Sequence, residues 1–136
     1  MGMSWRCGRP REAPVVLALL QSLGFLLLGS VFVWAGAEHF LRFREVVAQL
    51  AARGFPAPAP LLATGSALEI IAGACLAAGI ARPWAATALG AFTIAASVMA
   101  LDFWRYGGAE RQGMRSAFAI NVAVLGGLIL AATAAQ

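Results

Sequence analysis

Four apolar runs set the limits on what this chain can become. They lie at about 15–37, 59–80, 84–104 and 116–135, each close to the ~20 residues that a helix needs to cross a bilayer. The chain is 61% hydrophobic and 12% charged, whereas a soluble domain carries roughly 25% charged residues. It therefore lacks the polar surface to coat a globule. The expected fold is all-α, a polytopic membrane four-helix bundle with short connections.

The stretches between the runs refine this picture. Residues 1–14 read as a polar tail carrying Arg6, Arg9 and Arg11, where Pro10 and Pro14 discourage regular helix. The first run follows this basic tail and ends in Ala35-Gly36-Ala37, as a cleaved signal peptide can. At about 23 residues it exceeds the 7–15 of a signal h-region, and three more runs follow, so it is read as a retained span. Residues 38–53 place Glu38, His39, Arg42, Arg44, Glu45, Gln49 and Arg53 among apolar residues at three- and four-residue steps. That is an amphipathic helix suited to the membrane interface. Pro56, Pro58 and Pro60 end it, although proline is tolerated in the first turn of the next helix. Trp84 and Trp104 bracket the third run as an interfacial aromatic belt does. Residues 105–115 read as a polar loop.

All ten basic residues are Arg, and the net charge is +4. They cluster in the tail and near the ends of the runs, which points to anchoring in a lipid bilayer with anionic headgroups. Nucleic acid is not an expected partner, because no basic stripe with interleaved aromatics is present. Six Arg fall on the face holding residues 38–58 and 105–115, and four on the other, a slight lean toward the first face being cytoplasmic. Cys7 and Cys75 have no metal-ligand spacing and fall at different depths, so no metal site is expected.

Antiparallel crossing gathers the polar residues. Glu38, His39, Asp102 and Trp104 fall at one membrane face, Asn121 sits about six residues inside it, and Glu69 lies some ten residues into the second run. The opposite half has little polarity within the runs. Glu69 is the one charge between Leu61 and Ala81. An ionised acid at a helix centre costs about 2.5–3.5 kcal/mol on insertion scales, so it must be protonated or paired. Gly65 and Gly73 stand four residues to either side, and small residues on one helical face let a neighbouring helix approach. Two readings stay open. Glu69 can make a structural hydrogen bond with Asn121 that fixes helix registry, or it can handle a proton or orient a ligand. His39 reads either as an interfacial polar residue or as a proton relay and ligand contact.

Several landmarks in order resemble the DoxX family of small four-span bacterial membrane proteins. Ala35-Gly36-Ala37-Glu38-His39-Phe40 is similar to its A-G-x-E-K-L element, and Gly54-Phe55-Pro56-Ala57-Pro58 to its G-x-P-x-P turn. Glu69 with Gly73 resembles the family's E-x-x-x-G, Leu101-Asp102-Phe103-Trp104 its H-D-F-W, and Asn121 through Gly126 its K-N-L-A-L-x-G. His39 replaces a frequent Lys, Leu101 a frequent His, and Ile120 a frequent Lys. The resemblance implies an inner-membrane protein in quinone- or thiol-linked redox, with a membrane or soluble oxidoreductase partner or a second copy of itself. It implies Glu69 and His39 as candidate catalytic residues, with Asp102, Trp104, Asn121 and Glu38 as ligand contacts and a quinone as the cofactor. A non-enzymatic scaffolding subunit is the alternative. A small-solute transporter is a third, disfavoured as a monomer because four runs without an internal repeat are not a common transporter plan.

Overall fold

A computed structural model describes residues 12–134. The chain forms α1 (Glu12–Leu41), α2 (Phe43–Ala52), α3 (Pro58–Ala78), α4 (Arg82–Ala100), a 3-10 turn (Phe103–Arg105) and α5 (Gly108–Thr133). There is no strand among the described residues. The helices α1, α3, α4 and α5 are long and apolar enough to cross a membrane, and α2 is the short amphipathic helix between the first two.

Three boundaries differ from those read in the sequence. α1 continues to Leu41, so Glu38 and His39 belong to the end of the first span and not to the amphipathic helix. No Gly or Pro follows Gly36 until after Arg53, so the polar residues mark a change of surroundings without ending the helix. The break comes at Arg42, whose φ of −106° and ψ of 27° leave the helical region. α4 stops at Ala100, and Trp104 falls in the 3-10 turn beyond it. Residues 108–115, read as loop, are the first two turns of α5, because Ala109 to Arg115 are mostly good helix formers and hold no proline. The polar tail lies outside the described residues except for its end, where Glu12 to Pro14 open α1.

α1 packs most extensively on α3, and α4 on α5, with α3 against α4 joining the two pairs. Lipid solvates Leu as well as another helix does, so association within a bilayer depends on close packing and small residues. Gly29 and Gly73 provide this between α1 and α3. A Cβ added to Gly29 would lie 2.4 Å from the Gly73 carbonyl oxygen, and one on Gly73 would lie 2.8 Å from that of Gly29. The apolar core, with Phe25, Leu76, Ala85, Leu89, Leu128 and Ala131, fills the half of the bundle near the start of α4. The buried polar residues Ser66, Glu69, Thr93, Ser97 and Asp102 occupy the middle and the opposite half.

Candidate functional site

The polar half holds a half-open cavity of about 280 Å³ whose walls come from all four long helices. Phe32 and His39 come from α1, Glu69 from α3, Phe92, Thr93, Ala96 and Ala100 from α4, and Asn121 from α5, with Leu101 beyond α4. Glu69 is 5% exposed. Its Oε2 lies 3.1 Å from His39 Nδ1, and one proton shared between them pairs these two atoms. With the proton on the ring, Nδ1–H donates to the carboxylate; with it on the carboxyl, the O–H donates to Nδ1.

Local helix geometry explains the pairing. His39 lies one turn after Gly36 on α1. Gly36 lies against Ser66, Glu69 and Ile70, so α1 approaches α3 closely enough for the ring to reach the carboxylate. Counted along α3 alone, Glu69 is eleven residues from Pro58, roughly 17 Å along the axis. α2 packs against α3, and the last turn of α1 reaches Glu69, so the acid lies closer to the polar rim of α1 than that count implies. The two glycines around Glu69 do not share a neighbour. Gly73 meets α1, whereas a Cβ on Gly65 would meet the Phe92 ring of α4 at 3.0 Å. Eight residues of α-helix turn the second position by about 80° from the first, which separates the two contacts.

Asn121 does not hydrogen-bond Glu69. Its Nδ2 donates to Ser97 Oγ at 2.9 Å, tying α5 to α4 beside the cavity. Asp102 is buried and held by Arg53, whose Nη2 donates to Asp102 Oδ1 and whose Nη1 donates to the Ala100 carbonyl at 2.7 Å. The Arg53 guanidinium also lies 5.6 Å from the Tyr106 ring centroid and 6.0 Å from that of Phe55. Arg105 approaches the other Asp102 oxygen at 3.7 Å. Asp102 thus fixes the end of α4 to the end of α2 and is absent from the cavity wall. Trp104 is 55% exposed, packs edge-on against Phe103 at 5.4 Å, and lies outside the cavity. Glu38 is exposed, 3.8 Å from Arg42, and also outside it. Arg42 bonds chiefly to Glu45, which holds its pKa further above the usual guanidinium value. An exposed pair of this kind contributes little to stability.

Three contributors were not singled out in the sequence. Ser97 and Thr93 are hydroxyls within an apolar span, a signal easily taken for back-bonding to the helix, as Thr93 does to Leu89. Arg53 is the last charged residue before the proline-rich break. Its position was visible, but its partner lies 49 residues away.

Four crossing helices around a polar cavity, with an interfacial helix latched beside it, define a polytopic helical membrane protein. The DoxX family model matches residues 21–102, more than half of the chain, and the chain belongs to that family. The match runs from α1 to Asp102 and includes His39 and Glu69, while the Asn121 to Gly126 stretch lies beyond it. Comparison with curated proteins and with solved structures gives no match.

Proposed function

We propose that this DoxX-family protein serves quinone-linked redox in a bacterial inner membrane, as a component that works with an oxidoreductase partner. The observation that carries this reading is the His39–Glu69 pair in the wall of a cavity lined by all four spans. A quinone fits the donor set: a ring with oxygens at both ends calls for polar groups on opposite sides and apolar walls between them. His39 with Glu69, and the amide of Asn121, offer the polar groups, and Phe32, Phe92 and Leu101 offer the apolar walls. When bound, a quinone supplies two-electron, two-proton chemistry. His39 and Glu69 hold a proton between Nδ1 and Oε2 and present it at the cavity wall. Asn121 orients the ligand, and the aromatic residues exclude water. Among the described residues no cysteine lines the cavity, which favours the quinone over a thiol as the group handled there.

The test is to purify the protein and assay both co-isolated quinone and binding of an added short-chain quinone. Binding by the unaltered protein, lost in folded Glu69→Gln and His39→Ala, supports the reading. Absence of binding in the unaltered protein overturns it. A scaffolding role is the second reading, favoured by the Arg53–Asp102 and Asn121–Ser97 pairs, which satisfy polar groups within the chain. On that reading Glu69→Gln impairs assembly as much as activity.

A further inference from the structure

A second hollow, of about 210 Å³, adjoins the cavity between α4 and α5. Its walls include Ile94, Val98, Phe118, Val122 and Leu125, with no charged residue among them. Ile94, Val98 and Val122 are each more than half exposed, so this hollow opens on the side that the spans present to lipid. Thr93 and Asn121 border both spaces. The Thr93 hydroxyl is already committed to the Leu89 carbonyl of its own helix. The side-chain hydrogen bond at this wall is therefore the one from Asn121 Nδ2 to Ser97 Oγ, and Ser97 itself faces the outer hollow. Each space is smaller than the roughly 300–1,000 Å³ of a ligand pocket, and the two together fall within it.

We propose that the two hollows form one bipartite site for a membrane amphiphile. The polar ring head occupies the inner cavity, and the apolar chain passes between Thr93 and Asn121 into the outer hollow and on to the bilayer. The chemistry of the walls assigns the two ends. The ionisable groups, His39 and Glu69, line the inner space alone, whereas the outer one carries no ionisable group and, beyond the shared Thr93 and Asn121 and the Ser97 hydroxyl, is aliphatic and aromatic. The wall yields at low cost, because releasing Asn121 from Ser97 breaks one neutral hydrogen bond and leaves the amide free to bond the head. Asn121 and Ser97 thus act as a latch on a lateral path from lipid to Glu69. This assignment rests on the inner cavity being the head-group chamber.

The experiment compares a chain-free dimethoxy-methyl-benzoquinone with its decyl-chain counterpart by titration calorimetry against the full protein in nanodiscs of one composition. Ile94→Trp and Val122→Trp fill the outer hollow from half-exposed positions, and Val31→Trp on the lipid face of α1 is the control. Folding of each is checked by helical circular dichroism and elution as one species. The expected result is that both filling variants lose affinity for the decyl quinone by about tenfold or more, but by less than about twofold for the chain-free ring. The control changes neither. If folded filling variants bind the decyl quinone like the unaltered protein, or lose both ligands equally, the outer hollow is not the chain site, although the head reading stands. If the unaltered protein binds neither ligand, the head-group reading fails and the chain assignment fails with it.

Discussion

Gly36 lies directly against Glu69: a Cβ on Gly36 would stand 3.1 Å from the Glu69 Cβ and 2.7 Å from the Ser66 carbonyl oxygen. The carbonyl belongs to the α3 backbone and cannot turn aside. Gly36→Ala must therefore push α1 away from α3, and the His39 ring, one turn further on, withdraws from the carboxylate. Overpacking of this kind costs about 1–3 kcal/mol. Gly126→Ala is the matched control, because no described residue lies within 4 Å of its added Cβ. Thermal unfolding in a single detergent should show a lowered midpoint for Gly36→Ala and an unchanged or raised one for Gly126→Ala. Equal midpoints for the two variants would count against the packing assigned to α1 and α3.

The His39–Glu69 hydrogen bond predicts a coupling that single variants do not reveal. Glu69→Ala removes the carboxyl and His39→Ala removes the ring, so each single variant abolishes the bond. In a double-mutant cycle the two losses should overlap by on the order of 1 kcal/mol, the scale of interhelical hydrogen bonds in membranes. The cycle is measured by unfolding in mixed micelles. Losses that add within about 0.3–0.5 kcal/mol would show the residues to be energetically independent.

Much of the architecture could be read in advance because span length, proline placement and hydropathy act locally. The four spans and the amphipathic helix follow from those signals alone. The one-sided distribution of polar residues also follows, since antiparallel crossing fixes which ends meet. Partner choice is a different matter. Span geometry points to Asn121 as the partner of Glu69, and His39 takes that place because α1 approaches closely at Gly36, a contact between residues 33 apart in the chain. Asp102 appeared to belong with Glu69 because both are acids in the polar half. A residue on the other side of the proline break, Arg53, takes it away from the cavity. The extension of α1 through Glu38 and His39 was hidden because polarity and helix termination often coincide, and here they do not.

The Arg53–Asp102 pair predicts a local loosening. Asp102 is 8% exposed, so removing Arg53 leaves a poorly hydrated carboxylate with only the exposed Arg105 near it at 3.7 Å, and the Ala100 carbonyl loses its cap in the same step. A hydrogen bond to a charged group contributes about 1.5–3 kcal/mol. Arg53→Met should therefore destabilise the connection between α2 and the end of α4 on that scale. Hydrogen exchange should quicken at the amides of α2 and of Leu101 to Tyr106, and remain slow in the Phe25–Leu76–Leu128 core. Arg53→Lys should recover part of the protection but not all of it, because an ammonium cannot reproduce the fork that reaches both Asp102 and Ala100. Uniform quickening throughout the bundle would show Arg53 to be a global stabiliser and not a latch.

Two alanines provide a stability test independent of the cavity. Ala57 and Ala81 precede α3 and α4, and each holds a φ of 46°, in the left-handed region. An L-residue with a Cβ pays roughly 1–2 kcal/mol there, a penalty that glycine escapes. Glycine also adds freedom to the unfolded chain, which takes back about 0.4–1 kcal/mol. The difference favours the substitution, so Ala57→Gly and Ala81→Gly should each stabilise the protein by about 0.5–1 kcal/mol. The converse change supplies the control. Gly79, after α3, has φ of 75°, and Gly79→Ala should lower the unfolding midpoint by bringing the same penalty into a position that now avoids it. The three variants should rank on the two sides of the unaltered protein in one thermal series. An alanine-to-glycine change that destabilises as much as Gly79→Ala would show that the turns before α3 and α4 do not adopt the left-handed conformation.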